Sequence, residues 1–213
     1  MILADKPQGW TSADVVAHLK KVNKWKKVGH AGTLDPMATG LLIILVDKET
    51  KDFDKFQKME KEYEAEIQFG YETDTGDAEG KIEKRFELEK ERMDFRLEKG
   101  KIKQILKEME GEQWQKPPDY SAVKVGGVPA YKLARKGIRP DLKEKKITIY
   151  EAKLLKYDSV GVRVSVRFVV SSGTYIRQLA VEIGRKLGTG ATLVKLRRTR
   201  IGEYRVENCQ WKK

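Results

Sequence analysis

The chain has one cysteine, Cys209, so it has no disulfide framework and no thiolate-rich metal site. It has two histidines, His18 and His30, too few soft ligands for a zinc enzyme. Its longest purely aliphatic run, Leu41 to Val46, falls far short of the ~20 residues a membrane helix needs. The first ten residues lack the basic start and long apolar stretch of a signal peptide. No glycine-rich phosphate loop, internal repeat or low-complexity linker is visible. A soluble, reduced, cytoplasmic protein is the expectation, without membrane, metal or cofactor.

The charge is plentiful and unevenly placed. Net charge is +12 over 213 residues. Residues 1–70 hold 11 basic and 11 acidic side chains, whereas residues 141–213 hold 17 and 7. A cluster stands at Lys195, Arg197, Arg198 and Arg200. Such asymmetry suggests a polyanion-facing surface.

Strands and helices are interspersed, without the regular alternation of a doubly wound sheet. Thr11-Ser12-Ala13-Asp14 reads as a helix start, with Val15, Val16, Leu19 and Val22 on one face. Gly29 to Gly40 reads as a loop running into a buried strand, Leu41–Val46. Tyr63, Ala65, Ile67 and Phe69 alternate with polar residues, giving a half-buried strand. Residues 71–80 read as an acidic turn-rich loop, and Val125-Gly126-Gly127-Val128 as a hairpin. Strands are expected over 147–157, 162–170 and 192–201, and helices over 97–109 and 174–187. The fold class is α+β, a mixed, mostly antiparallel sheet flanked by helices.

Taken alone, the candidate site residues have ordinary readings. Asp35, held extended before Pro36, suits either a close approach to substrate or a common turn. Arg177, in the first turn of a helix, works against the dipole and calls for a carboxylate partner. Tyr63 reads as a core aromatic, Lys6 as a solvated turn lysine, and His30 as a surface or capping residue. His18 reads as a helix-surface residue and Cys209 as inert.

Together the segments resemble the TruB-type tRNA pseudouridine synthases. Ile2-Leu3-Ala4-Asp5-Lys6-Pro7-Gln8-Gly9-Trp10-Thr11-Ser12 is similar to that family's first motif, and Gly29 to Gly40 to its catalytic motif. Lys61-Glu62-Tyr63, Tyr120-Ser121-Ala122-Val123-Lys124 and Ser172-Gly173-Thr174-Tyr175-Ile176-Arg177 match further blocks. Leu187-Gly188-Thr189-Gly190-Ala191 and Leu196-Arg197-Arg198 match the last ones. The likeness covers about residues 1–205, with order and spacing kept.

The resemblance implies isomerisation of uridine to pseudouridine at position 55 of the tRNA T-loop. It implies Asp35 as the catalytic aspartate, Tyr63 stacked on the target base, and Arg177 paired with Asp35. His30 is implied to hold the flipped-out T-loop arrangement, Lys6 to support the site, and Tyr175 and Leu196 to line the base pocket. Lys195, Arg197 and Arg198 are expected on the RNA backbone. The partner is then the T-arm of tRNA, and the protein a monomer. Residues 1–205 are expected to form the catalytic domain and 206–213 a short tail, a short form without the appended PUA-type domain of many members. Two alternatives stay open: a non-catalytic tRNA-binding or folding chaperone, and a glycosidase that releases free uracil.

Overall fold

The computed structural model describes residues 1–86, 97–158, 160 and 162–212. Residues 87–96, 159 and 161, within the expected domain, and Lys213, in the expected tail, lie outside the described residues. The chain divides into two compact units. The first holds residues 1–65, 167–172 and 195–213; the second holds 66–166 and 173–194.

In chain order the first unit begins with β1 (Ile2–Lys6), α1 (Ser12–Asn23), β2 (Val28–Ala31) and β3 (Thr39–Val46). A short α2 (Phe53–Lys58) precedes β4 (Lys61–Phe69), whose later residues belong to the second unit. There follow β5 (Tyr71–Thr73), β6 (Ile82–Arg85), α3 (Lys99–Glu108), β7 (Gly111–Gln115), β8 (Lys124–Val125), β9 (Val128–Pro129) and α4 (Ala130–Ala134). Then come β10 (Lys145–Asp158), β11 (Arg163–Val170), α5 (Ile176–Leu187) and β12 (Ala191–Ile201). β13 (Tyr204–Arg205) and β14 (Trp211–Lys212) complete the first unit.

The first unit is built on β3. Its run of aliphatic side chains is buried on both faces, as a central strand requires. Leu41, Ile43 and Leu45 pack with Leu3, Phe56 and Ile201, while Leu42 and Ile44 pack with Ala4 of β1 and with Val15 and Leu19 of α1. One edge of β3 pairs antiparallel with β1, Ile2 opposite Ile44 and Lys6 opposite Gly40. Its other edge takes β12 in parallel at Thr39 and Gly40, then β2 antiparallel from Ile43 to Val46. Gly40 has φ +105°, and a Cβ there would lie 2.3 Å from the Arg198 carbonyl oxygen. Only glycine permits that approach.

Helix α1 starts as the sequence suggests. Thr11 caps it, and the Asp14 carboxylate returns to the Thr11 backbone N–H at 2.8 Å, a complete capping box. Of the expected apolar face, Val15 and Leu19 are buried but Val22 is exposed. His18 is not a bare surface residue: its ring meets Trp10 edge-on at 5.6 Å and lies 5.7 Å from Trp211. Within the expected tail, Trp211 and Lys212 pair in parallel with Ala4 and Asp5.

In the second unit β10 is bordered by β11 and β7, the latter antiparallel with Lys145 opposite Gln115. Helix α3 packs on β10 and α5, burying Ile102, Ile105 and Leu106. The β8–β9 hairpin turns through Gly126 and Gly127, with φ of 57° and 82°. Both values are positive, as a tight two-residue hairpin turn demands. Helix α5 starts at Ile176, two residues later than the sequence suggests.

Candidate active site

In the first unit Asp35 sits on a loop between β2 and β3, partly exposed. The expected loop of residues 29–40 is shorter, because Val28–Ala31 pairs with β3 as a strand. The residues flanking Asp35 are pinned on each side. Ser12 Oγ accepts from Leu34 N at 2.9 Å and donates to Leu34 O at 3.3 Å. Pro36 O accepts from Gly9 N at 2.9 Å and from Lys6 Nζ at 3.2 Å. Ala38 N donates to Asp35 O at 3.0 Å. These bonds fix the backbone on both sides of Asp35, and a fixed backbone is what holding a group at a reacting atom starts from.

Lys6 is not a solvated turn lysine. It is fully buried, and its ammonium also donates to Pro7 O at 3.0 Å and to Trp10 O. A buried ammonium needs such acceptors, and here they tie the first motif to the Asp35 loop.

Arg198, expected on RNA phosphates, is 1% exposed. Its Nε donates to Leu41 O at 2.7 Å, and Nη2 and Nη1 donate to Gly32 O at 3.0 Å and Thr33 O at 3.4 Å. The guanidinium is therefore a brace under the Asp35 loop rather than a phosphate ligand. Its neighbour Arg197 points the other way and is forked onto Asp5, at 3.1 and 2.7 Å. Lys195 is exposed, whereas Leu196 is buried and its carbonyl faces Thr39 Oγ1 at 3.5 Å.

His30 lies on β2 opposite Ile44. Burial first, and then the Arg198 charge, lowers its pKa from the ordinary histidine value. Its Nδ1 is buried without a hydrogen-bond partner among the described residues. Tyr63, on the inward face of β4, is buried. Lys61, two residues before it, is also buried and donates to the carbonyls of Phe56, Gln57 and Met59, closing the end of α2. The half-buried Cys209 thiol is pushed up to about 11, mainly by burial.

In the second unit Tyr175 and Arg177 stand at the start of α5. Arg177 is 4% exposed and donates to Thr75 O at 2.9 Å and Tyr120 O at 3.0 Å. Its Nη1 lies 3.5 Å from Asp77 Oδ2. This carboxylate partner was not singled out in the sequence. Asp77 is itself buried and fixed by Thr75 Oγ1 at 2.7 Å and Glu79 N at 3.1 Å. Those bonds form an Asx-type turn, and the Thr-Gly-Asp-Ala-Glu-Gly run was its only local signal. Gln115, also missed, bonds the Tyr175 backbone at both N and O. Asp35 and Arg177 belong to different units.

Among the described residues, no group of three His, Cys, Asp or Glu side chains is arranged to hold a metal ion. No helix among them is long and apolar enough to cross a membrane.

Residues 20–176 match the family described as TruB family pseudouridylate synthase, N-terminal domain, and residues 177–212 match the tRNA pseudouridylate synthase B C-terminal domain. The chain is 46% identical over 208 residues to tRNA pseudouridine synthase B of Aquifex aeolicus, covering 98% of this chain and 70% of that protein. It is 42% identical to the protein of the same name from Thermobifida fusca, covering 98% and 71%. Among solved structures it resembles a chain in a Cbf5-Nop10-Gar1 complex, with TM-score 0.71 and 33% identity, covering 96% of this chain. It spans about half of that longer chain, 49%. The sheet, the pinned aspartate loop and these matches together establish that the chain belongs to the TruB family of pseudouridine synthases.

Proposed function

We propose that the protein isomerises uridine to pseudouridine in tRNA, at position 55 of the T-loop, with Asp35 as the catalytic carboxylate. The carrying observation is the Asp35 loop, whose flanking residues are tied down by Ser12, Gly9 and Lys6. The relatives' name, tRNA pseudouridine synthase B, supplies the substrate class.

The reaction breaks the N1–C1′ bond, turns the uracil and joins its C5 to C1′. The C5 proton leaves and N1 gains one, so the net change is an isomerisation with no oxidant or reductant. A carboxylate beside C1′ serves either as a nucleophile on that carbon or as the base that takes the C2′ proton. Tyr63 is the ring on which the base stacks, and Arg177, which pairs with Asp77, is assigned to the reaction by the family resemblance. By the same resemblance Tyr175 and Leu196 are base-recognising residues, and His30 holds the opened loop. Flipping the uridine out costs a few kcal/mol, and stacking on an aromatic ring returns about 1–3 kcal/mol. Lys195 and the basic excess of residues 141–213 attract the phosphate backbone. The protein acts as a cytoplasmic monomer on the T-arm.

The test uses unmodified tRNA carrying tritium at C5 of uracil. Tritium enters water, no free uracil appears, and pseudouridine maps to the T-loop. Release of uracil would support the glycosidase instead. Tight binding without tritium release would support the chaperone.

A further inference from the structure

Resting on that reading, we propose that Gln115 is a positioning residue for the reaction, which sets Tyr175 and the helix start bearing Arg177. Gln115 ends β7 and is 8% exposed, while its neighbour Trp114 points out at 66%. Its amide grips one residue twice. Tyr175 N donates to Gln115 Oε1 at 2.8 Å, and Gln115 Nε2 donates to Tyr175 O at 3.1 Å. One backbone donor and one backbone acceptor fix which way the amide lies.

Tyr175 needs this grip. It is the N-cap of α5, with extended φ −97° and ψ 106°, and its side chain makes no capping bond. Aromatic residues are poor caps, so the helix entry is set from outside. Ring direction at Tyr175 and the first turn carrying Arg177 both follow from that backbone. The segment after Gln115 grips the same turn again, since Tyr120 O accepts from Arg177 Nη2 at 3.0 Å. Between the two grips lie Pro117 and Pro118, both buried. Their fixed φ angles make residues 115–120 a stiff strap across the helix start.

The grip is chemically specific. Gln115→Glu keeps the shape, but the ionised carboxylate has no hydrogen for Tyr175 O and sets charge against that carbonyl. Protonated, it restores one donor and one acceptor. Gln115→Met keeps the bulk and loses both bonds at every pH.

The experiment measures single-turnover tritium release and tRNA Kd for wild type and both variants from pH 4.5 to 8, a range that approaches the ordinary glutamate pKa of about 4.3, with hydrogen exchange at the Tyr175 amide. At pH 8 both variants release tritium about 10- to 100-fold more slowly than wild type. Their tRNA Kd stays within about threefold. The Gln115→Glu deficit shrinks as pH falls, the Gln115→Met deficit does not, and exchange at Tyr175 quickens in both. A purely structural glutamine would lower Tm in both variants, with release by folded protein unchanged and no pH split; that result overturns the proposal. If wild type releases no tritium, the pseudouridine reading itself fails. The exchange arm then still decides the grip, because unchanged Tyr175 protection in both variants removes it.

Discussion

Arg198 and Gly32 are joined by an Nη2–O hydrogen bond of 3.0 Å, made by a guanidinium with 1% of the residue exposed. That bond, with the 2.7 Å bond to Leu41 O, links β12 to both ends of the Asp35 loop. Arg198→Ala leaves three carbonyls without this donor, the buried Leu41 O and the partly buried Gly32 O and Thr33 O. Each unsatisfied group costs about 1–3 kcal/mol, so denaturant unfolding shows a loss of about 3 kcal/mol. The salt dependence of tRNA binding is unchanged. Lys195→Ala behaves oppositely: stability holds, and the log–log salt slope falls by about 0.7–0.9. Native stability with a reduced slope in Arg198→Ala would return Arg198 to the RNA backbone.

Lys6 gives a second test of the loop's support. Lys6→Met keeps the stem and removes the ammonium that serves Pro7, Trp10 and Pro36. Hydrogen bonds to charged groups contribute about 1.5–3 kcal/mol, so urea unfolding shows a loss of about that size. Tritium release at a temperature where the variant is folded also falls, because Pro36 adjoins Asp35. A stable variant with the wild-type rate would mean that the Lys6 contacts do not position the loop.

Much of the fold is legible in local pattern, and the exceptions have physical causes. The capping box at Thr11 and Asp14, the paired glycines at 126–127 and the alternation of β4 are local codes, and each forms as read. β2 hides because Val28-Gly29-His30-Ala31 is short and contains glycine, which strands disfavour; pairing with β3 overrides this. Lys6 and Arg198 mislead because lysine and arginine are almost always exposed. Their farthest acceptors lie 30 and 166 residues away, so no local window contains either full set. Asp77 and Gln115 escape for the same reason: Arg177 and Tyr175 are distant in the chain. The Asp35, Tyr63 and Arg177 assignments came from motif resemblance, not from periodicity, which left Tyr63 an ordinary core aromatic.

His30 gives the stability a defined pH dependence. Burial, and then Arg198, lower its folded-state pKa below the unfolded value of about 6.5. As pH falls through that value the unfolded chain takes up a proton first, so stability is lost between it and the lower folded pKa. Above it, both states are neutral and the contribution is flat. Tm measured at pH 7.5 and 5.5 drops for wild type and drops less for His30→Gln. Equal drops in the two proteins would mean that His30 is not the group responsible.

The most direct measurement is single-turnover tritium release by Asp35→Asn from C5-tritiated tRNA. The change is nearly isosteric and leaves the contacts of Leu34 and Pro36 with Ser12, Gly9 and Lys6 in place. Folding and tRNA affinity are expected to match wild type, with no tritium released above the no-enzyme rate. Release at the wild-type rate by this variant would contradict Asp35 as the group that acts at C1′.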